Sequence, residues 1–409
     1  MGTWTTKAIL FSALTFTFLM STNIFPYHIE ARNSDGTAKV TIEDDFDRFR
    51  QFNTDITVWV NEAKKFPDNL NKNITRINRP LYLAISALAS RINHIIKHFP
   101  DLQTGMTRKL SIELTFHSML FLNYLSLIAI IFLYHAMLKY YFDESISIIA
   151  ALMLALSSMV VRRSMLSSPE IMGLLVTLLI LYLYDRYMLK PEHPTWLNIL
   201  GFALIVGFLF LIKAHYHVLI AILLWSLYSR RWRVFWGILI VHFVPLLLWI
   251  AWLKSSQINY YNHEAESYRQ IVWVRDYIST GRLLDVLPDA MQYASVVLQK
   301  VIIVFTPQTL FLAIWAYATR GRLNQRGRYA IIIYITGLVI FLTLLKRAPD
   351  YLVFDLYIFI YPLVAIALVN FKDWLNQASR LTQKINLTLI VFVYLVTETL
   401  FSWYLVFNS

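Results

Sequence analysis

Long apolar runs dominate the chain, and short polar turns separate them. A helix that crosses a bilayer needs about 20 mostly apolar residues, and about eleven stretches meet that condition. These stretches are residues 8–26, 111–138, 145–161, 170–188, 197–213, 214–229, 234–253, 295–317, 329–345, 355–370 and 385–407. The pattern therefore predicts an all-α polytopic membrane protein, folded as one membrane-embedded domain over residues 1–409.

Two longer segments lie between the predicted spans, residues 27–110 and residues 254–294. The first has apolar residues at helical spacing, which is typical of an amphipathic helix lying on a membrane surface. Those residues are Phe46, Phe49, Ile56, Val60 and Ala63. Residues 80–99 are also strongly apolar, but polar and charged residues fill their second half. We interpret 80–99 as an interfacial helix.

Basic residues set the orientation of the predicted spans. Arg230, Arg231 and Arg233 occupy one short turn, and a second basic cluster spans residues 320–328. Short basic turns face the cytoplasm in most membrane proteins. This rule places the N-terminus inside and the C-terminus outside. It also places both long segments outside, and a span at 80–99 would reverse that arrangement.

Composition excludes several classes of protein. Hydrophobic residues make up 57% of the chain and charged residues 15%, against about 45–50% and about 25% in soluble domains. An ordinary soluble enzyme is therefore excluded. The chain has no cysteine, which excludes disulfides, thiol catalysis and thiolate metal sites. The net charge of +12 belongs to the membrane topology, and we expect no nucleic-acid partner.

An acidic cluster follows the first predicted span and contains Glu43, Asp44, Asp45 and Asp47. Carboxylates this close repel one another, which raises some of their pKa values unless a cation compensates. One interpretation is a solvated turn that caps the helix after it. The other is a catalytic site, in which a carboxylate accepts a proton from a substrate.

Cations form a second candidate group, at the predicted outer ends of the spans. They are Arg162, Arg163, Lys213, Lys346 and Arg347. The outer ends of the spans lie at the depth of a lipid phosphate. Arg can bind a phosphate through two hydrogen bonds, and Lys binds it as a point charge. The alternative is contact with bulk lipid headgroups. His215 and His217 lie nearby, but their spacing is poor for joint metal ligation on a helix.

Several motifs, in this order, resemble the GT-C glycosyltransferases. After the acidic cluster comes Arg76-Ile77-Asn78-Arg79-Pro80-Leu81-Tyr82-Leu83-Ala84, at the entry to the predicted surface helix. Further motifs are Ser168-Pro169-Glu170, Leu211-Ile212-Lys213-Ala214 and Lys346-Arg347-Ala348-Pro349-Asp350-Tyr351. The nearest branch contains the protein O-mannosyltransferases and the lipid A aminoarabinose transferases, which use polyprenyl-phosphate sugars.

The resemblance implies roles for individual residues. Asp45 is the expected general base, with Asp44 as the alternative, because the two forms of the family motif fit different registers here. Glu170 is expected to contact the acceptor or a metal. Mg²⁺ or Mn²⁺ could be held by Asp44, Asp45 and Glu170, although family members differ in using a metal. The expected ligands of the donor phosphate are Arg48, Arg79, Arg162, Arg163, Lys213, Lys346 and Arg347.

The implied function is transfer of a sugar from a polyprenyl-phosphate donor to a glycan, lipid or protein acceptor at the outer face of the membrane. The expected location is a bacterial inner membrane, with the active site facing the periplasm. One alternative is an O-antigen-type polymerase or ligase, although those proteins usually place their large external loop later. Another is a lipid-linked-sugar transporter without catalysis, which should carry its polar residues near mid-membrane.

Overall fold

The computed structural model describes most of the apolar bundle and part of the segment after the first predicted span. The described residues are 9–10, 12–13, 27–34, 37–44, 50–68, 70, 77–98, 108–157, 160, 163–164, 169–191, 193–260, 272–319, 323, 325–346, 354–378 and 386–408. Within them, a two-stranded antiparallel hairpin precedes the helices. Its strands are β1 (Tyr27–Ser34) and β2 (Thr37–Asp44).

The helices follow in the order of the chain. They are α1 (Arg50–Lys65), α2 (Pro80–His98), α3 (Arg108–Leu138), α4 (Glu144–Leu156), α5 (Glu170–Tyr184), α6 (Trp196–Phe210), α7 (Tyr216–Tyr228), α8 (Trp232–Val241), α9 (Val244–Ser255), α10 (Val272–Ser279), α11 (Val286–Val304), α12 (Pro307–Ala318), α13 (Gln325–Leu345), α14 (Tyr357–Ala378) and α15 (Leu387–Asn408). A π-helical turn, Asp185–Leu189, extends α5.

The predicted helical membrane bundle is confirmed. Five helical segments of the described chain are long and apolar enough to cross a membrane: Thr115–Leu138, Glu170–Leu189, Trp232–Ser255, Gly327–Leu345 and Tyr357–Gln377. Helices α4, α6 and α7 match predicted spans but are shorter, with 13, 15 and 13 residues. A 13-residue helix is about 20 Å long, so these helices need flanking residues to cross. The total of about eleven spans stays a prediction.

Two predicted spans are interrupted by proline. In span 234–253 the break separates α8 from α9 at His242 and Phe243. Pro245 lacks an N–H, and its ring clashes with the carbonyl one turn earlier. Span 295–317 is likewise divided between α11 and α12. Thr306 caps α12 by accepting a hydrogen bond from the Thr309 N–H, and Pro307 takes the first helical position, where its missing N–H costs nothing.

The buried apolar residues form two clusters. The larger fills the bundle between α3, α4, α5, α7, α13 and α14. The smaller joins α1 and α2 to one end of the bundle and includes Trp59, Tyr82, Phe116, Met172 and Leu253. Phe116 and Met172 lie near the N-terminal ends of α3 and α5, and Leu253 lies near the C-terminal end of α9. The predicted surface helices therefore pack over a single end of the bundle.

Candidate active site

A buried ion pair lies at the end of the bundle that α1 and α2 cover. Glu170 opens α5, where a negative side chain is favoured by the helix dipole. Lys213 follows the last turn of α6. Its Nζ lies 3.1 Å from Glu170 Oε1, and the side chains are 4% and 12% exposed. The structure thus brings together two residues that the sequence predicted separately.

A glycine allows the segment that carries Lys213 to approach α5 closely. Gly173 lies one turn after Glu170. A Cβ at this position would lie only 2.5 Å from His215 Nε2 and 2.9 Å from Lys213 Cγ. Contacts that short are not tolerated by close-packed atoms. The absent side chain of Gly173 therefore makes room for the segment between α6 and α7.

A second polar cluster continues along the same face of α5. Asp355 Oδ2 lies 2.8 Å from His215 Nδ1 and 2.9 Å from His217 Nε2. The hydroxyl of Thr177 donates to the same oxygen over 3.1 Å, and the hydroxyl of Tyr334 lies 3.1 Å from His217 Nε2. Both imidazoles and the carboxylate are almost fully buried. We call His215, His217 and Asp355 the His–Asp cluster.

The spacing of His215 and His217, expected to be poor for joint metal ligation on a helix, does not keep the two rings apart. That expectation assumed that both residues lie on a regular helix. His215 instead precedes α7, with φ −92° and ψ 68°, and the helix begins at Tyr216. Because the chain turns between the two histidines, both rings reach one oxygen of Asp355. Asp355 was not among the predicted site residues, although a carboxylate at the start of an apolar span is a signal of function.

Helix α2 closes this end of the bundle. The Leu81 N–H donates to the Leu211 carbonyl over 3.3 Å, next to the turn that holds Lys213. Tyr82 is buried, and its ring meets Trp59 edge to face at 4.9 Å. Burial raises the pKa of the Tyr82 hydroxyl well above its usual value, the nearby Glu170 raises it further, and Arg79 lowers it. Tyr82 therefore stays neutral between these two charges.

Three other predicted ligands of the donor phosphate lie among the described residues. Arg79 lies 5.5 Å from the Trp59 ring centroid, and Arg163 is only 3% exposed. Lys346 binds Asp289 at 2.6 Å and lies 4.3 Å from the Trp273 ring centroid. The hydrogen bond from Lys346 lowers the pKa of the Asp289 carboxyl. The ion pair therefore links the end of α13 to the second long segment, residues 254–294.

The two candidate bases fall at the edge of the described chain. Asp44 is the last residue of β2 and pairs with Tyr27 in the hairpin, so the acidic cluster begins at the end of a strand. Asp45 lies outside the described residues, as do Arg48, Arg162 and Arg347. The choice between Asp44 and Asp45 stays open.

The described residues also contain one group of side chains that can hold a metal ion. It is the His–Asp cluster, whose three ligand atoms all lie within 4.8 Å of one another. The predicted ligand set was Asp44, Asp45 and Glu170, and the two sets share no residue. Two imidazoles and a carboxylate suit Zn²⁺ and other transition metals, whereas Mg²⁺ and Mn²⁺ prefer oxygen ligands.

Comparison with known proteins finds a family match over part of the chain and a similar solved structure. No curated protein matches the chain. A crystal structure of an Archaeoglobus fulgidus oligosaccharyltransferase, tethered to an acceptor peptide with an NVT sequon, has 15% sequence identity and a TM-score of 0.48. It covers 99% of this chain, which in turn spans 55% of that protein. Residues 107–253 match the family described as dolichyl-phosphate-mannose-protein mannosyltransferase.

Proposed function

We propose that the protein transfers a sugar from a polyprenyl-phosphate donor to a hydroxyl or amine of a glycan, lipid or protein acceptor. One observation carries this proposal. The matched region, residues 107–253, includes both Glu170 and Lys213, which form the buried ion pair at the covered end of the bundle. A buried cation near a bundle end suits a lipid phosphate that enters from the headgroup layer.

The reaction needs a base and a cation. A carboxylate, Asp45 or else Asp44, takes the proton of the acceptor group. The acceptor atom forms a bond to the anomeric carbon of the sugar, and the bond from that carbon to the phosphate oxygen breaks. The polyprenyl phosphate leaves with an additional negative charge. Lys213, with Arg163 and Arg79, would stabilise that charge, and Glu170 would orient Lys213 between turnovers.

The proposed site faces the outer side of a bacterial inner membrane. The support is the distribution of positive charge. The turn from Arg230 to Arg233 separates α7 from α8. It lies at the opposite end of α7 from Lys213, and at the opposite end from Leu253 of the span that α8 and α9 form together. The positive-inside rule assigns this basic turn to the cytoplasm.

The test is a transfer assay with membranes that contain the full chain at equal abundance. A panel of polyprenyl-phosphate donors carries labelled neutral hexoses or an amino sugar, and label is measured in lipid, glycan and protein fractions. Asp45→Asn keeps the shape of the side chain but removes its basicity, so transfer should fall by about 10²–10⁴-fold. Asp44→Asn should be milder if Asp45 is the base, and more severe if Asp44 is.

Asp47→Asn is the matched control, because this carboxylate fits neither register of the motif, and its transfer should equal that of the wild type. Lys213→Ala and Arg163→Ala should each weaken donor use only in part, since several cations share the phosphate. Full transfer in both the Asp44 and Asp45 variants would show that the general base does not lie in this segment. If no donor supports transfer but the protein still moves the lipid-linked sugar across the membrane, the alternative of a transporter without catalysis would be favoured.

A further inference from the structure

The His–Asp cluster is a second site, separate from the ion pair. Its residues lie at the start of α7 and just before α14, and Thr177 in the middle of α5 contacts them. His215, His217 and Asp355 are 1%, 0% and 0% exposed. Three ligand atoms from separate side chains converge there within 4.8 Å, which is the arrangement that a single small ion requires.

The buried polar atoms of the cluster are only partly satisfied by hydrogen bonds. The contacts of Asp355 Oδ2 are imidazole nitrogens and the hydroxyl of Thr177. Asp355 Oδ1 and His217 Nδ1 are buried and have no hydrogen-bond partner among the described residues. A buried carboxylate that is only partly satisfied is costly. A divalent cation bound by both imidazoles and the carboxylate would offset that cost.

We propose that His215, His217 and Asp355 bind one Zn²⁺ ion. Two histidines and one carboxylate form an established three-ligand set for zinc, with a fourth position left for another oxygen. The hydroxyls of Thr177 and Tyr334 already contact ligand atoms of the cluster. Such outer contacts orient the ligands of metal sites.

The role of the ion is to position Lys213. His215 lies two residues after Lys213, in the segment that Gly173 allows to approach α5. Fixing His215 and His217 to Asp355 holds this segment between α5 and α14. The ion would thus act through the position of the Lys213 side chain and would not contact the substrates.

The experiment measures metal content and does not depend on transfer activity. The full chain is purified in detergent, treated with a chelator, dialysed, and titrated with Zn²⁺ alone. After the titration, the wild type should bind about one Zn²⁺ per chain, as expected for a single site. The temperature at the midpoint of its thermal unfolding should rise with added Zn²⁺ and fall with added chelator. Co²⁺ in its place should give the visible absorption of a four-coordinate site.

The variants test which residues bind the ion. His217→Gln keeps a side-chain N–H that can donate to Asp355 but is a poor ligand, and Asp355→Asn removes the ligand charge. Each should lower Zn²⁺ affinity by at least about 10-fold and abolish the response of the thermal midpoint. His242→Ala is the matched control, because His242 is also buried but bonds to the Ile238 carbonyl outside the cluster. It should bind Zn²⁺ as the wild type does.

Two outcomes would overturn the proposal. The first is a wild-type chain that binds no Zn²⁺ above a detergent blank, and this result is decisive even if the variants do not fold. The second is wild-type affinity in both His217→Gln and Asp355→Asn. Either outcome would leave a cluster held by hydrogen bonds only. Neither would bear on sugar transfer, which the donor assay tests separately.

Discussion

Removing one partner of the Glu170–Lys213 pair should destabilise the protein strongly. The two side chains are 12% and 4% exposed, and their charged atoms lie 3.1 Å apart. Breaking a buried pair leaves one charge buried without this partner, which costs about 3–5 kcal/mol. We therefore expect Glu170→Gln and Lys213→Met each to lower the free energy of unfolding by about that amount. The double variant should cost much less than the sum, because it leaves neither charge behind.

The assay is a double-mutant cycle on the full chain in detergent, with unfolding followed by helical circular dichroism. A cycle separates the energy of the pair from the other contacts that each residue makes. The control is Asp285→Asn, which removes the partner of Arg282 from an ion pair whose side chains are 50% and 65% exposed. Exposed pairs contribute about 0.2–1 kcal/mol, so the control should be nearly neutral.

Two results would refute this reasoning. If Glu170→Gln costs no more than the exposed control, Glu170 and Lys213 are solvated in the membrane-embedded protein. If the two single variants add without coupling, the charges do not depend on each other. In either case Glu170 would not be needed to orient Lys213, and the proposed binding of the donor phosphate would rest on Arg163 and Arg79.

Two further predictions test the packing and the orientation. Gly173→Ala should destabilise by about 1–3 kcal/mol in the same unfolding assay, because its Cβ would overpack the site, whereas Gly201→Ala, with nothing within 4 Å, should be neutral or mildly stabilising. An equal effect of the two glycine variants on stability would show that the segment at His215 can move aside for a Cβ at position 173 without cost. A topology reporter should read external in two positions and cytoplasmic in two others, and an external signal after Arg231 would invert the proposed orientation. The external positions follow Asn61 and Gln257, and the cytoplasmic ones follow Arg231 and Gln325.

Sequence alone predicted the parts of the fold that depend on local pattern. Long apolar runs gave the positions of the main helices, and the spacing of Val60 and Ala63 predicted the buried face of α1. The hairpin was missed although its signal is present. Apolar and polar residues alternate over residues 27–34 and 37–44, and Asp35-Gly36 separates them, which is a strong sequence signal for a hairpin.

The sequence predicted the charged residues of the candidate site, but it did not predict which side chains contact one another. The ends of the apolar runs identified Glu170 and Lys213 as charged residues at the same depth, and depth follows from the topology. The partner of each charge depends on which helices pack together, and a single sequence does not contain that information. Thr177 and Asp355, for example, are 178 residues apart and share a hydrogen bond.

The face of α5 explains why these contacts form together. Glu170, Gly173 and Thr177 are spaced by three and four residues, so they lie along one side of the helix. Glu170 binds Lys213, Gly173 admits the segment at His215, and Thr177 contacts His215 and Asp355. A shift of this segment by one turn would separate both clusters at once. The ion pair and the His–Asp cluster therefore depend on one packing arrangement, and the Gly173→Ala variant should weaken both Zn²⁺ binding and the coupling of Glu170 to Lys213.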